Sequence, residues 1–155
     1  MKSHARKRLV AVVGFDGISA FHLSVPCMVF ADALPEGSPF EVVVCAAEKG
    51  TVRTRTRTGF GLTDLAPLSV LKRADAIVVP SWRDVDEAAP GPLLKALREA
   101  HARGAQIVGL CLGAHVLAEA GLLNGRRATT HWEYAKSFAQ RLPSIDVDAD
   151  VLYVE

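Results

Sequence analysis

Cysteine is scarce in this chain, with three in 155 residues. Cys27, Cys45 and Cys111 stand in unrelated settings, with no C-x-x-C and no metal-ligand spacing. That odd, scattered set excludes a disulfide framework and suggests neither a metal nor a cofactor, so a reduced, cytoplasmic location is the expectation. The opening of the chain offers no long apolar run. Leu9 to Val13 is a segment of five apolar residues, far short of a signal peptide's apolar region or a membrane span, so no membrane partner is expected. Charge of one sign is lacking too: 18 Lys and Arg face 17 Asp and Glu, a net charge of +1. Such a balance gives no global electrostatic case for nucleic acid or a membrane surface. The basic start, Lys2 to Arg8, reads as a solvated leader to the first strand; the other use of such a tail is contact with nucleic acid. Repeats and disorder-prone stretches are absent.

What remains is an ordinary globular composition. Half of the residues are hydrophobic, and the length suits one domain with a real core. Apolar strand-like runs alternate with helical stretches, which predicts an α/β domain around a mostly parallel sheet. Leu9 to Val13, Phe40 to Ala46, Ala74 to Val79 and Ile107 to Leu110 read as buried strands. A helix is predicted from about Ser19 to Leu34, bent or restarted by Pro26. Thr51 to Thr58 alternates so that Arg53, Arg55 and Arg57 share one strand face, either gripping phosphates or marking a solvated edge. Pro90 to Arg103 carries Leu93, Leu94 and Leu97 on one face, and Gly104 ends it. Leu112 to Leu123 reads as a further helix, and another runs from Trp132 to about Leu142, where Pro143 stops it. Val147 and Val151 to Val154 read as closing strands. A parallel sheet normally has helices on both faces, so an end on a strand implies cover from a partner chain or from a continuation of this one.

The sharpest local feature is Gly109-Leu110-Cys111-Leu112-Gly113, a G-x-C-x-G between a predicted strand and a predicted helix. This is the cysteine form of the strained turn by which α/β-hydrolases expose a nucleophile. Glycines flank the corner because a Cβ there would meet backbone. The first free N–H groups of the next helix favour thiolate over thiol. The other use of a cysteine here is as a small residue closing a helix–sheet contact.

The run from Gly109 through Cys111, His115 and Gly125 to Thr129-Thr130-His131-Trp132 resembles the ThiJ/PfpI branch of the class I glutamine amidotransferase-like superfamily. Within it, the likeness is to the sensor domains of GlxA-type, AraC-family transcriptional regulators. The start, Val13-Gly14-Phe15-Asp16-Gly17 through Phe21-His22-Leu23-Ser24-Val25-Pro26 to Val29-Phe30, resembles the family's opening strand, loop and helix. The resemblance implies a flavodoxin-like three-layer sandwich with a cysteine nucleophile elbow, usually a homodimer. For the regulators it also implies a C-terminal pair of helix-turn-helix motifs. On that reading residues 1–155 are a sensor domain cut before its closing helix and before the part that binds DNA.

The resemblance also implies which side chains should surround the thiol. The family's enzymes pair the elbow cysteine with an acid from the first strand–helix junction, and that position is His22 here. A histidine can hydrogen-bond the sulfur or stabilise thiolate, but it cannot serve as a carboxylic acid. Asp16 is a substitute acid or a cap of its own turn. His131 corresponds to the histidine that approaches the thiol, or it caps the helix from Trp132. His115 lies one helical turn after Cys111, facing the sulfur or packing inside. The family's proteases carry histidine directly after the nucleophile where this chain has Leu112, which disfavours a hydrolase. The N–H of Leu112 and a group near Ser81-Trp82 are oxyanion-site candidates, with Trp82 as a pocket wall or an interface residue.

Two function classes follow. One is a sensing and dimerising regulator domain whose pocket, drawn from Cys111, His131, His22, Asp16, Trp82, Gly109, Leu112, Gly113 and His115, detects a small-molecule effector. The other is a stand-alone enzyme, an isonitrile hydratase or a glyoxalase-like enzyme using Cys111.

Overall fold

The computed structural model describes residues 6–32, 37–48, 51 and 53–155. Residues 2–5 of the basic leader, Leu34 at the predicted end of the first helix, and Val52 lie outside the described residues. In chain order the elements are β1 (Arg8–Gly14), α1 (Ala20–Cys27), β2 (Phe40–Ala46), β3 (Thr54–Arg55), β4 (Gly61–Leu62), β5 (Ala76–Val79), α2 (Gly91–Ala102), β6 (Gln106–Gly109), α3 (Gly113–Glu119), β7 (Arg127–Ala128), α4 (Trp132–Arg141) and β8 (Asp146–Val147).

The main sheet has the order β2-β1-β5-β6, with every neighbouring pair parallel. The chain runs outward from β1 to β2, then crosses back to β5 and on to β6. The winding therefore reverses between β1 and β5, and in open α/β sheets ligands bind beyond the carboxyl ends of the strands at such a point. Gly14, Val79 and Gly109 end three adjacent strands on that rim.

The continuous apolar runs follow from burial on both faces of the sheet. Val10, Ala11, Val12 and Val13 have no exposed surface. Ala11, Val13, Ile77 and Val79 belong to a core that also holds Leu93, Leu97 and Ala100 of α2 and Val116 and Leu117 of α3. Leu93 and Leu97 are fully buried, worth roughly 2 kcal/mol each in apolar surface removed from water. Val10, Ala76 and Val78 pack instead with Phe30, Phe40, Val108 and Leu110. A smaller cluster of Ala114, Ala118, Ala128, Phe138 and Ile145 fastens the β7–α4–β8 segment to α3.

Local chemistry sets the element ends. Pro26, inside α1, offers no N–H to the carbonyl four residues back, and the coil loosens into a π-helical turn over Met28–Asp32. Gly104, at φ +94°, ends α2. α3 stops earlier than its apolar pattern predicts, because Gly121 takes φ +77° and the N–H of Leu122 turns back to the Leu117 carbonyl at 3.0 Å.

Two strand expectations are corrected. Thr51 to Thr58 contributes only Thr54–Arg55 to a ladder, paired antiparallel with Gly61–Leu62, plus one bridge between Thr56 and Ile18. Its alternation still holds, with Thr54 and Thr56 buried and Arg53, Arg55 and Arg57 on a solvated face. Val151 to Val154 forms no strand, and Leu152 is fully exposed. β8 pairs with β7 over two residues, and no strand among the described residues lies beside 151–154 to extend the ladder.

Candidate functional site

The turn after β6 is a strained corner. The N–H of Leu110 continues the ladder to the Val79 carbonyl at 2.9 Å, and the N–H of Gly113 closes back on the Leu110 carbonyl at 2.7 Å. Between them Cys111 takes φ +51°, a left-handed conformation that costs a non-glycine residue about 1–2 kcal/mol. Both flanking glycines sit where a Cβ would be crowded, Gly113 prohibitively so. A Cβ on Gly113 would lie 2.0 Å from the Val79 carbonyl oxygen, and one on Gly109 would meet Leu117, Ala114 and Gly113 at 3.0–3.1 Å. Thr130 ties the elbow from outside by donating its hydroxyl to the Cys111 carbonyl at 3.0 Å. The thiol is half-buried. No backbone acceptor among the described residues takes the N–H of Cys111 or Leu112, as befits the open start of a helix. Burial pushes the other two thiols up, Cys45 to about 12.

His131 and His22 each lie at the start of a helix. His131 sits at the N-cap of α4, where its Nδ1 accepts the N–H of Glu133 at 3.3 Å. Its ring stacks on Trp132 with centroids 5.5 Å apart. His22, in the first turn of α1, has a buried Nδ1 without a hydrogen-bond partner. Burial, then His131, then Arg57 hold its imidazole below the usual histidine range. His22 therefore lies within electrostatic reach of both residues. Arg57 comes from the arginine-bearing face of the hairpin, and no local sequence signal separates it from Arg53 and Arg55.

The remaining candidates are distributed around this corner. Asp16 faces the hairpin, where its Oδ1 accepts from the Thr54 hydroxyl at 3.0 Å and the Arg55 N–H at 3.1 Å. Trp82 is buried against Phe15, with centroids 4.8 Å apart, and donates its indole N–H to the Glu87 carbonyl at 2.9 Å. His115 turns away from the thiol. Its ring packs 4.5 Å from Phe138, its Nε2 is buried without a partner, and burial, aided by Arg141 against Asp86, lowers it to about 4.

Two cavities divide these residues. A groove of about 1080 Å³ along the free edge of β6 is lined by Gly109, Cys111, Thr130, His131 and Trp132 among others. A second, of about 380 Å³, holds Trp82, Asp86, His115, Glu119 and Arg141. Cys111 and His131 thus share a groove, whereas Trp82 and His115 line a different one. Leu112 and Gly113, at the start of α3, line neither, and nor do Asp16 and His22. Among the described residues no group of three or more His, Cys, Asp or Glu is arranged to hold a metal. No described helix is long and apolar enough to cross a membrane.

A flavodoxin-like strand order with a cysteine at a strained strand-to-helix corner defines a cysteine-elbow α/β domain. Residues 8–147 match the DJ-1/PfpI family, and the chain belongs to it. It is 36% identical over 140 residues to an uncharacterised protein encoded in the cpoL 5' region of Streptomyces lividans, covering 87% of this chain and 95% of that one. It is 32% identical over 112 residues to the HTH-type transcriptional regulator CdhR of Pseudomonas aeruginosa, covering 72% of this chain but 33% of the regulator. An isonitrile hydratase of Pseudomonas putida is 33% identical over 100 residues, 61% of this chain and 42% of the enzyme. The fold is that of Drosophila melanogaster DJ-1beta, with a TM-score of 0.75 and 16% identity over 96% of this chain and 77% of that one. The chain therefore spans nearly the whole of one curated relative and about a third of the regulator.

Proposed function

We propose that this chain is the N-terminal small-molecule-sensing and dimerisation domain of an AraC-family transcriptional regulator. Its partners are a second copy of itself, a small effector, and DNA contacted only through a C-terminal helix-turn-helix domain outside residues 1–155. The setting is cytoplasmic, and no cofactor takes part. One observation carries the reading: the elbow is fully built around Cys111, yet its neighbours are not set to move protons. His131 has its Nδ1 committed to the α4 cap, and His22 stands where the family's enzymes carry an acid. A thiol held this way contacts or reports a ligand, whereas nucleophilic catalysis needs a positioned base and acid. The likeness to CdhR over 72% of the chain supports the same reading.

An enzyme using Cys111, an isonitrile hydratase or a glyoxalase-like protein, is the second reading. Strain at Cys111 favours it, since strained residues cluster at active sites, as does the 33% identity to the hydratase. Incubation with methylglyoxal and with an alkyl isonitrile separates the two. The sensor reading expects no turnover at ordinary enzymatic rates, and turnover that Cys111→Ser abolishes would overturn it. Light scattering on a chain extended through the C-terminal domain tests the dimer, and a monomer at high concentration would refute that part.

A further inference from the structure

The loop between β5 and α2 is held firmly at its base and lightly at its tip. At the base, Trp82 and Ala89 are buried. Arg83 pairs with Glu48 at 3.1 Å and donates to the Asp16 carbonyl at 3.1 Å, and the Ala89 N–H donates to the Glu119 carboxylate at 2.8 Å. Glu87 is drawn to the same base. Its carbonyl accepts the Trp82 indole N–H at 2.9 Å, and its carboxylate accepts the Arg83 Nε–H at 2.9 Å. Among the described residues, the tip formed by Asp84, Val85 and Asp86 has one polar link to another element, in which Arg141 of α4 donates to Asp86 at 2.7 Å. No backbone-to-backbone hydrogen bond joins residues 83–89 to another described element.

The second cavity, of about 380 Å³, lies between this tip and two helices, with His115 and Val116 of α3 and Phe138 of α4 in its lining. The His115 Nε2 is buried and has no hydrogen-bond partner. A buried nitrogen left unpaired carries a penalty larger than the gain from one exposed ion pair, and the side chains of Arg141 and Asp86 are 54% and 75% exposed. Little apolar surface adds to the closure, because Asp84 and Asp86 are exposed and Val85 is half-buried. Segments held this lightly are the ones that open locally while the fold stays intact.

We infer that Asp84, Val85 and Asp86 form a gate over the second cavity, hinged at Arg83 and Glu87 and latched to α4 by the Asp86–Arg141 pair, and that lifting it opens the His115 imidazole to water and small molecules. The open form exchanges the latch for a hydrogen bond to Nε2. The two forms therefore lie close in free energy, and the gate moves without unfolding the chain. Cys111 does not line this cavity, so the gate works the same way on either reading of the elbow.

Diethyl pyrocarbonate, which acylates neutral imidazole chiefly at Nε2, tests the gate on the whole chain at about pH 7. His115 is neutral there, since burial lowers it to about 4, so its labelling reports access. Peptide-resolved mass spectrometry follows His115 with exposed His101 as the reference. Iodoacetamide labelling of the fully buried Cys45 reports opening of the whole fold. Asp86→Asn and Arg141→Gln each remove the latch at an exposed position. His115 is expected to label about two- to fivefold faster in either variant, as for loss of one exposed ion pair, and no faster in the double variant. High salt should speed the parent chain in the same way and leave the variants unchanged. Equal His115 labelling in parent and variants, parent labelling as fast as at His101, a further gain in the double variant, or a rise matched at Cys45 would each overturn the gate.

Discussion

Thr130 and Cys111, nineteen residues apart, are joined by a hydroxyl-to-carbonyl hydrogen bond of 3.0 Å. The bond pins the segment that carries His131 onto the one residue of the elbow with a left-handed backbone. Replacing Thr130 with Val keeps the shape and removes the donor, so stability should fall by about 1 kcal/mol. The freed elbow should also expose its thiol. Urea unfolding and peptide-resolved iodoacetamide labelling of Cys111 measure both effects, and Thr130→Ser should behave as wild type. If Thr130→Val unfolds and labels like the parent, the latch does nothing.

The two elbow glycines should differ in tolerance. A methyl at Gly113 would sit 2.0 Å from the Val79 carbonyl oxygen, and backbone of a central strand cannot step aside. Gly113→Ala should cost more than about 4 kcal/mol and leave little folded protein. Gly109→Ala meets neighbours at 3.0–3.1 Å, one of them a leucine methyl, and should cost about 1–3 kcal/mol. Soluble yield and denaturation midpoints give the ranking, and the reverse order would contradict the elbow geometry.

His115 should make the fold acid-sensitive. Its imidazole is held down to about 4 in the folded chain, while the unfolded chain protonates near 6.5, so protons favour the unfolded state. The contribution of His115 is complete above about pH 6.5 and is lost as pH falls towards 4, a loss of about 2 kcal/mol after allowance for partial exposure. His22, lowered in the same direction, adds to the slope. His115→Phe fits the contact with Phe138 and should flatten the slope between pH 6.5 and 4.5 in urea titrations. An unchanged slope would place the acid sensitivity elsewhere.

Much of the architecture is legible along the chain. Phe40 to Ala46 reads as a strand because seven largely apolar residues lie between turn formers, and the strand occupies those residues. α4 begins at Trp132 and ends one residue before Leu142, because His131 caps one end and Pro143 closes the other. Val151 to Val154 has an equally apolar pattern and is not a strand. A ladder needs a neighbour, and hydropathy does not report whether one is present. Likewise, helical spacing sets His115 one turn from Cys111, but the packing of Phe138 on α3 turns that histidine into the second cavity.

The sequence by itself determined the elbow. G-x-C-x-G between an apolar run and a helix permits few other backbone paths, and the positive φ at Cys111 with a blocked Cβ at Gly113 is the local consequence. It also determined the α/β class, since continuous apolar strands alternating with amphipathic helices bury themselves in few other ways. Only the tertiary structure decided which side chains share the rim. Cys111 and His131 come from a strand-to-helix corner and a helix cap twenty residues apart yet line one groove, whereas His115, one helical turn from Cys111 in the chain, lines the other. Side-chain periodicity is a local property of the backbone, whereas charge neighbourhoods depend on which strand ends lie side by side.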